Sequence, residues 1–283
     1  MQIGVIGNGF VGKATQLLQG DNISMLVYDI DPEKSVPKNL NIQELNKCQL
    51  IFVCVPTPMN KDGSCYLGMV EDAINNCKKV IDSKKTHIVL RSTVPPGTAS
   101  NLDVYFMPEF LTEKNWPEDF KNCQDWVFGL KSDKFKDEND SFQEKITQLF
   151  ETARDNNSIN HNKLHFVDSK EAEMMKYFRN VFLACKVGVC NEMEQYCRES
   201  GINYDVVKNL GCLDPRITTS HTMVPGHDGK RGFGGTCFPK DINSLRHEMT
   251  KKNIEPIVLN AVIRRNAEVD RPNDEQEKGR AIV

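Results

Sequence analysis

One cysteine of this 283-residue chain stands in a setting that could make it a nucleophile. The segment from Gly232 to Asp241 reads GFGGTCFPKD, so Cys237 follows three glycines and shortly precedes a predicted helix start at Pro239. A helix N-terminus and a nearby ammonium group, here Lys240, both favour the thiolate, the reactive form of cysteine. The alternative, which fits most cysteines, is a small packed side chain beside a flexible turn.

A second glycine-rich motif follows the first predicted strand. The residues Gly7-Asn8-Gly9-Phe10-Val11-Gly12 come directly after IGVI and open a predicted helix, the context of a dinucleotide fingerprint. The first glycine permits a tight turn, the second lets the backbone approach a pyrophosphate, and the third lets helix and strand pack closely. Taken alone, the same pattern also fits a glycine turn without a ligand.

An acidic residue at the end of the second predicted strand supports the cofactor interpretation. Asp29 follows the glycines by about 20 residues, where a carboxylate can accept hydrogen bonds from ribose hydroxyls. No arginine follows it closely, and an acid would repel a 2′-phosphate, so we predict NAD rather than NADP. The alternative is a turn-forming aspartate ahead of Asp31-Pro32.

The glycine motif belongs to a region of alternating strand and helix patterns. From Met1 to about Asp168, helix-like segments separate the apolar runs IGVI, MLVYDI, LIFVCV, HIVL, VYFM and WVFGL. These runs lack strict period-two alternation, which is typical of strands covered by helices on both faces. We predict an α/β fold, with a Rossmann-like doubly wound parallel sheet that forms an NAD-binding domain over residues 1–168.

The pattern becomes helical after Asp168. Asp168 and Glu171 predict a capping box for one long helix that extends to about Ser200, on the order of 45 Å. Its apolar residues recur at three- and four-residue steps, so we expect it to pack along its whole length. These residues are Met174, Met175, Phe178, Val181, Phe182, Val189 and Met193.

Further helical segments complete a predicted all-helical domain. Gly201 is expected to end the long helix, a second helix is predicted over 204–210, and a glycine-rich loop over about 224–236 precedes two more. We predict a central helical domain over residues 169–267 that carries the cysteine loop. Residues 268–283 are predicted to be a polar tail.

The composition excludes several classes of partner. With 36 Lys plus Arg against 39 Asp plus Glu, the formal charge of -3 gives no attraction for nucleic acid or anionic lipid. No stretch approaches the roughly 20 apolar residues of a membrane span, so we predict a cytoplasmic protein without nucleic-acid or membrane partners. The ten cysteines include no Cys-x-x-Cys pair, so we expect mostly reduced thiols and no metal.

Several segments together resemble the UDP-glucose/GDP-mannose dehydrogenase family. GFGGTCFPKD is similar to the family's catalytic signature, and the preceding VPGHDGKR is similar to its UDP-glucose branch. Further resemblances, in the family's order, are VPTP from Val55, STVPPGT from Ser92, PEFL from Pro108 with Glu113, and EAEMMKYFRN from Glu171. The resemblance extends from Met1 to about Val283 and covers the family's NAD domain and central helical domain.

The resemblance implies a four-electron oxidation. The family converts the C6 primary alcohol of a nucleotide sugar to a carboxylate with two NAD⁺ and one water, which here implies UDP-glucose and UDP-glucuronate. Cys237 would add to the intermediate aldehyde, and the resulting thiohemiacetal would be oxidised to a thioester and then hydrolysed. The family resemblance also implies a homodimer that pairs through the helical domain.

Roles for individual side chains follow from the same resemblance. Lys176 and Asn180 lie four residues apart on one helix and would stabilise negative charge on the substrate oxygen. Glu113 would be the general base for thioester hydrolysis, and Asp241 would orient water and Lys176. Thr93 would contact water and cofactor. Taken singly, such residues are equally typical of exposed helix faces and loop turns.

Other positions complete the sites that the resemblance implies. Glu109 is expected to be a supporting acid. The expected NAD-binding residues are Gly7, Gly9, Phe10, Val11, Gly12, Asp29, Lys34, Pro56, Thr57 and Thr93. The expected substrate-binding residues are Phe110, Leu111, Lys176, Asn180, Phe233, Gly234 and Gly235.

The sequence departs from the family pattern at three places. Family members normally continue into a second Rossmann-like domain that holds much of the nucleotide, and the final GRAIV resembles its beginning. We therefore expect a short form that lacks the C-terminal UDP-binding domain, with loss of turnover as well as affinity. Tyr66 stands where the family usually has Asp, and Lys114 stands where Gly is common.

Two other functions share parts of this pattern. A two-domain hydroxyacid dehydrogenase also joins a Rossmann unit to a helical unit, but it uses a helical lysine and no nucleophilic thiol. A non-catalytic NAD-binding partner of a complete enzyme has no physical need for Lys176, Asn180 and Cys237 together. The cysteine loop therefore favours the nucleotide-sugar dehydrogenase.

Overall fold

A computed structural model describes residues 1–112, 114–272 and 282–283. Glu113, the expected general base, lies outside the described residues. The chain divides into two compact units. The first comprises Met1–Thr57 and Leu67–Lys176, and the second comprises Pro58–Tyr66 and Tyr177–Val283.

The first unit contains one sheet, which has seven strands among the described residues. The strands are β1 (Gln2–Ile6), β2 (Ser24–Tyr28), β3 (Leu50–Val53), β4 (His87–Leu90), β5 (Tyr105–Phe106), β6 (Asp125–Leu130) and β7 (Lys163–Asp168). Their order is β2-β1-β3-β4-β5-β6-β7, and neighbours are parallel except for β5 and β6. The predicted Rossmann-like sheet is confirmed.

Two features of this sheet differ from the prediction. The pair β5 and β6 is antiparallel, with Phe106 opposite Gly129. The edge strand β7 is an additional strand, in which polar and apolar residues mix and every residue is at least partly exposed. An edge strand with this exposure does not form the continuous apolar run by which buried parallel strands are recognised.

Apolar layers cover both faces of the sheet. The helices of the first unit are α1 (Phe10–Gln16), α2 (Gly68–Lys78), α3 (Thr98–Asn101), α4 (Trp116–Lys121) and α5 (Lys136–Asp155). Strand β3 shows the arrangement: Leu50 and Phe52 belong to the layer that includes α5, whereas Ile51 and Val53 belong to the layer that includes α2. All four side chains are fully buried, which explains why LIFV has no polar alternation.

The long helix α6 (Ser169–Glu199) continues from the first unit into the second. The Lys170 N–H donates to Asp168 Oδ1 at 2.8 Å, so the predicted cap at Asp168 is present. The helix ends before Gly201, which has a φ of +68° and permits the left-handed turn that stops a helix.

Three further helices and a hairpin build the described part of the second unit. The helices are α7 (Tyr204–Gly211), α8 (Phe238–Lys251) and α9 (Ile257–Arg265), and a π-helical turn, Asn266–Asp270, continues α9. Their core contains Tyr177 and Val181 of α6, Phe233, Ile242 and Leu259. In the Pro58–Tyr66 hairpin, the Tyr66 N–H donates to the Pro58 carbonyl at 2.8 Å.

The apolar face of α6 is only partly covered. Val181 is buried, but Phe178 is 62% exposed, Phe182 is 60% exposed and Met193 is 57% exposed. The expectation that α6 packs along its whole length is therefore wrong for a single chain over the described residues. Among the helices of those residues, none has both the length and the apolar character that crossing a bilayer requires.

Candidate functional site

The glycine motif forms a close turn between β1 and α1. Gly7 has a φ of +94°, and a Cβ atom there would lie 2.7 Å from the Cys54 carbonyl oxygen. A Cβ atom on Gly12 would lie 1.9 Å from the Gly7 carbonyl oxygen, whereas one on Gly9 would meet nothing within 4 Å. The turn is therefore packed tightly at two glycines and open at the third, at the start of α1, where Phe10 and Val11 follow. This geometry fits a pyrophosphate against the backbone.

Asp29 is connected to this turn by a short hydrogen bond. The Asn8 N–H donates to Asp29 Oδ2 at 2.7 Å, and the Asp31 N–H donates to Asp29 Oδ1 at 2.9 Å. Asn8 Nδ2 also donates to the Lys34 carbonyl at 2.6 Å, while the Lys34 ammonium pairs with Asp31 at 3.1 Å. The acid thus lies beside the glycine turn, where ribose recognition would need it.

The remaining expected cofactor residues follow neighbouring strands at the same edge of the sheet. Pro56 and Thr57 come after β3, and Thr93 comes after β4, where Ser92 Oγ donates to the Val55 carbonyl at 2.6 Å. Thr57 and Thr93 are both buried. The carboxyl ends of parallel strands are the usual ligand-binding edge of such a sheet, so these residues fit NAD.

Lys176 and Glu109 form a buried ion pair within the first unit. The Lys176 ammonium donates to Glu109 Oε1 at 2.8 Å and to the Glu109 carbonyl at 2.7 Å, and it lies 5.7 Å from the Phe110 ring centroid. The Leu111 N–H donates to Glu109 Oε2 at 2.8 Å. Burial alone would raise the pKa of the Glu109 carboxyl, but Lys176, the Leu111 N–H and Arg91 outweigh it and hold the pKa below its usual range.

Arg91 is a buried residue of this region that the sequence analysis missed. It is 1% exposed, and its Nη1 donates to Thr15 Oγ1 of α1 at 2.5 Å. Its charge also contributes to the low pKa of the Glu109 carboxyl. The sequence signal for it is an arginine directly after the apolar run HIVL. A charged side chain at the end of a buried strand needs a buried partner, which marks such an arginine as a candidate site residue.

A second polar cluster lies within the second unit. Asn180 Nδ2 donates to Asp241 Oδ2 at 2.6 Å, and the Lys240 ammonium pairs with the other oxygen, Asp241 Oδ1. All three side chains are buried. Burial favours a neutral Lys240 amine, but Asp241 in particular outweighs burial and raises the pKa of Lys240, with Cys237 also contributing. The expectation that Asp241 orients Lys176 stays a prediction.

Cys237 is the N-cap residue of α8. The helix begins at Phe238, one residue before the predicted start at Pro239, and the Asp241 N–H donates to the Cys237 carbonyl at 2.9 Å. The thiol is half-buried, and Thr236 Oγ1 lies 3.9 Å from Cys237 Sγ. All ten cysteines lie in the described part of the chain, each as a thiol. A helix N-terminus and a nearby ammonium group are the features that favour the thiolate form of a cysteine.

Buried amide side chains hold the loop that precedes Cys237. The Phe233 N–H donates to Asn266 Oδ1 at 2.8 Å, and Asn266 Nδ2 donates back to the Phe233 carbonyl at 3.0 Å. The Gly232 N–H donates to Asn191 Oδ1 at 3.0 Å. Phe233 itself is in the core of the second unit, whereas Gly234 is half-buried and Gly235 is exposed.

Asn266 was missed because it stands at the border of a segment with a polar pattern. The sequence predicts a polar tail beginning at about this point, whereas the structure has a π-helical turn in which Asn266 and Asp270 are buried. Asp270 also pairs with Arg265 at 3.0 Å. Polar residues that are buried to hold a loop have the same hydropathy as exposed ones, so no pattern distinguishes them.

Removing the Asn266 side chain is expected to loosen the cysteine loop. Asn266→Ala leaves the buried N–H and carbonyl of Phe233 without these partners, at a cost of about 2–4 kcal/mol in the free energy of unfolding. Denaturant unfolding measures this cost, and peptide mass spectrometry measures the rate at which iodoacetamide alkylates Cys237. The control is Asn260→Ala, which removes only a bond to the Glu255 side chain. Equal stability of the two variants would show that the Asn266 side chain does not hold the loop.

Comparison with known proteins agrees with both units. The model for the NAD binding domain of the UDP-glucose/GDP-mannose dehydrogenase family matches residues 35–153, and the model for its central domain matches residues 170–268. The UDP-glucose 6-dehydrogenase of Rickettsia felis is 31% identical over 98% of this chain and 67% of that protein. The chain thus spans about two thirds of the length of that curated relative.

Solved structures give the fold. The UDP-glucose dehydrogenase of Pyrobaculum islandicum is 24% identical, with a TM-score of 0.75 over 93% of this chain and 67% of that one. A 3-hydroxyisobutyrate dehydrogenase of Mycobacterium tuberculosis has a TM-score of 0.66 at 11% identity, over 93% of this chain and 91% of that one. Both dehydrogenase classes considered from the sequence therefore share this architecture, and the family models distinguish between them.

The family matches and the glycine turn agree on the cofactor. The NAD predicted from the glycine motif and Asp29 is confirmed by the match to the family's NAD binding domain. The central-domain match includes Lys176, Asn180, Cys237 and Asp241. The chain belongs to the UDP-glucose/GDP-mannose dehydrogenase family.

Proposed function

We propose that this protein oxidises the C6 alcohol of UDP-glucose to the carboxylate of UDP-glucuronate, with two NAD⁺ per turnover. The observation that carries the proposal is Cys237 at the N-cap of α8, adjacent in the fold to the buried Asn180, Lys240 and Asp241 cluster. In this proposal residues 1–168 are the NAD-binding domain, 169–267 the central helical domain and 268–283 the tail.

Cys237 supplies the covalent step of the proposed reaction. NAD⁺, when bound, is the hydride acceptor for both oxidations. The Cys237 thiolate adds to the C6 aldehyde carbon, and the carbonyl oxygen becomes the hydroxyl of a thiohemiacetal. Loss of a hydride and a proton gives a thioester, and attack by water releases the carboxylate and restores the thiol. Addition of the thiolate converts the aldehyde carbon into a carbinol carbon, whose remaining hydrogen can then leave as the second hydride.

Lys176 and Asn180 are proposed to stabilise charge on the reacting oxygen. An ammonium and an amide N–H that are held in place before the reaction need no reorganisation as negative charge develops. The Glu109 carboxylate holds the Lys176 ammonium, and the Asp241 carboxylate holds the Asn180 amide. Each donor is therefore oriented by a buried acceptor of its own unit.

The hydrolysis step is assigned to acids and a hydroxyl group. We assign Glu113 as the base that activates water, Asp241 as the acid that orients water and Lys176, and Thr93 as the hydroxyl that contacts water and cofactor. Glu109 supports Lys176. Phe110, Leu111, Phe233, Gly234 and Gly235 are assigned to contacts with the substrate.

Exposed apolar residues support a homodimer through the helical domain. On α6 these include Phe178 and Phe182, whose rings stack with centroids 6.0 Å apart, and Met193. Large exposed apolar surfaces are uncommon on monomeric proteins. Sedimentation equilibrium should give twice the mass of the chain at micromolar concentration, and a monomer mass there would contradict the dimer.

A substrate panel tests the proposed specificity. The purified protein is mixed with NAD⁺ and, in separate reactions, with UDP-glucose, GDP-mannose and a set of small hydroxyacids, while the absorbance of NADH is followed. We expect NADH with UDP-glucose. NADH with hydroxyacids alone would favour the hydroxyacid dehydrogenase, and NAD⁺ binding by calorimetry without any sugar response would favour a non-catalytic partner.

A further inference from the structure

Glu173 is a buried carboxylate to which the proposed reaction gives no role. It lies on α6, one helical turn before Lys176, and its side chain is fully buried. Its two oxygens accept hydrogen bonds from two backbone N–H groups of the Pro95–Ala99 turn: the Gly97 N–H at 2.5 Å and the Ala99 N–H at 2.7 Å. One carboxylate thus holds both ends of a short stretch of backbone.

The turn that Glu173 holds is directly connected to the expected cofactor residues. It follows Thr93 by two residues, and Gly97 adopts a φ of +102°, a conformation that side chains other than glycine rarely take. Thr98 Oγ1 donates to the Pro95 carbonyl at 2.7 Å, which closes the turn on itself. Thr93 therefore lies two residues before a turn that is anchored to α6.

We infer that Glu173 is a positioning residue, whose ionised carboxylate fixes the Thr93 loop against the helical turn that carries Lys176. Two N–H donors point at its two oxygens, and the carboxylate accepts both bonds strongly. Protonation turns one oxygen into a hydroxyl, which is a weaker acceptor and carries a competing donor. Protonation of the Glu173 carboxyl would weaken one of its two hydrogen bonds to the turn. The inference rests on the proposed function for its effect on turnover, but not for its effect on the turn.

The surroundings of Glu173 place this change near neutral pH. Burial, opposed by the two backbone hydrogen bonds, raises the pKa of the Glu173 carboxyl to about 7. The charged groups that act on it are Asp168, which raises the pKa, and Lys170, which lowers it. The segment from Ser92 to Leu102 contains no ionisable side chain, and the residues around Ala172 and Ala99 are apolar.

The activity of the parent protein should therefore fall as the pH is lowered through about 7. Glu173→Gln keeps the size of the side chain and one acceptor oxygen, but places an NH₂ group against the second N–H. We expect kcat to drop about 10- to 100-fold at pH 8, because a small displacement of a reacting group has effects of this size. We also expect the KM for UDP-glucose to change less than threefold. The fall in kcat near pH 7 should disappear in this variant. The control is Glu171→Gln, at an exposed site on the same helix, which should keep the pH dependence of kcat of the parent.

A second readout does not depend on the reaction. The amide resonances of Gly97 and Ala99 should shift with a midpoint near pH 7 in the parent protein, and should not titrate in Glu173→Gln. The direction of the stability change follows from the same pKa. Folding raises the pKa of the Glu173 carboxyl from 4.5, so ionisation of this group disfavours the folded state. The parent should therefore lose stability relative to the variant as the pH rises from about 5 to about 8.

The two readouts separate the two claims. If the parent forms no NADH with any nucleotide sugar but the Gly97 and Ala99 amides titrate as described, the proposed function fails and the anchoring role of Glu173 stands. If NADH forms and Glu173→Gln keeps the parent kcat and its fall near pH 7, the inference about Glu173 is wrong. Amides that do not titrate in the parent would also overturn it.

Discussion

Replacing Cys237 with serine should stop the protein from completing the second oxidation. A serine hydroxyl remains protonated near neutral pH, so it adds poorly to an aldehyde and forms no thioester, whereas a thiol at a helix N-terminus ionises readily. We expect the rate of UDP-glucuronate formation to fall about 10³-fold or more, because loss of a covalent nucleophile has effects of at least this size. Chromatography of the nucleotide sugars after timed reactions measures the product directly.

The matched control for this variant is Cys212→Ser. Cys212 is also a half-buried thiol of the second unit, where it donates to the Thr218 carbonyl at 3.4 Å, a bond that a serine hydroxyl can replace. The control should keep the parent rate. UDP-glucuronate formation by Cys237→Ser at a rate close to that of the control would exclude a covalent role for Cys237.

Replacing Lys176 with methionine should have the largest effect on stability. The Lys176 side chain is 4% exposed, and its ammonium holds both the Glu109 carboxylate and the Glu109 carbonyl. Its removal leaves a buried carboxylate without its main partner. Such a loss costs about 3–5 kcal/mol in the free energy of unfolding. The pKa of the Glu109 carboxyl should rise, because Lys176 is the strongest of the groups that lower it.

A double variant separates stability from catalysis. Lys176→Met combined with Glu109→Gln removes both charges, so denaturant unfolding should show recovery of most of the lost stability. Turnover should not recover, since the donor proposed for the substrate oxygen is still absent. Recovery of turnover with stability would show that Lys176 acts only as a structural partner of Glu109.

The sequence predicted those parts of the fold that depend on buried, regular patterns. The run LIFV is apolar because β3 is covered on both faces, and GNGFVG is glycine-rich because Gly7 and Gly12 have no room for a side chain. Strand β7 could not be recognised in the same way. It lies at the edge of the sheet and is partly exposed along its length, so polar residues interrupt its apolar ones.

The polar residues of the candidate site also divide into those that a local sequence pattern identifies and those that it does not. Cys237 and Asp29 could be identified because each stands beside a local signal, a glycine-rich loop or the end of a strand. The partners of Arg91, Asn266 and Glu173 could not be identified, because they are 76, 33 and 74–76 residues away in the sequence. Contacts at such separations depend on the tertiary fold, which a local pattern does not encode.

The number of NADH molecules formed per sugar tests the central claim most directly. A limiting, known amount of UDP-glucose is added to the parent protein with excess NAD⁺, and the absorbance of NADH is read when the reaction is complete. The covalent mechanism predicts two NADH per UDP-glucose and one equivalent of UDP-glucuronate. A single NADH per UDP-glucose, with the aldehyde as the final product, would contradict it.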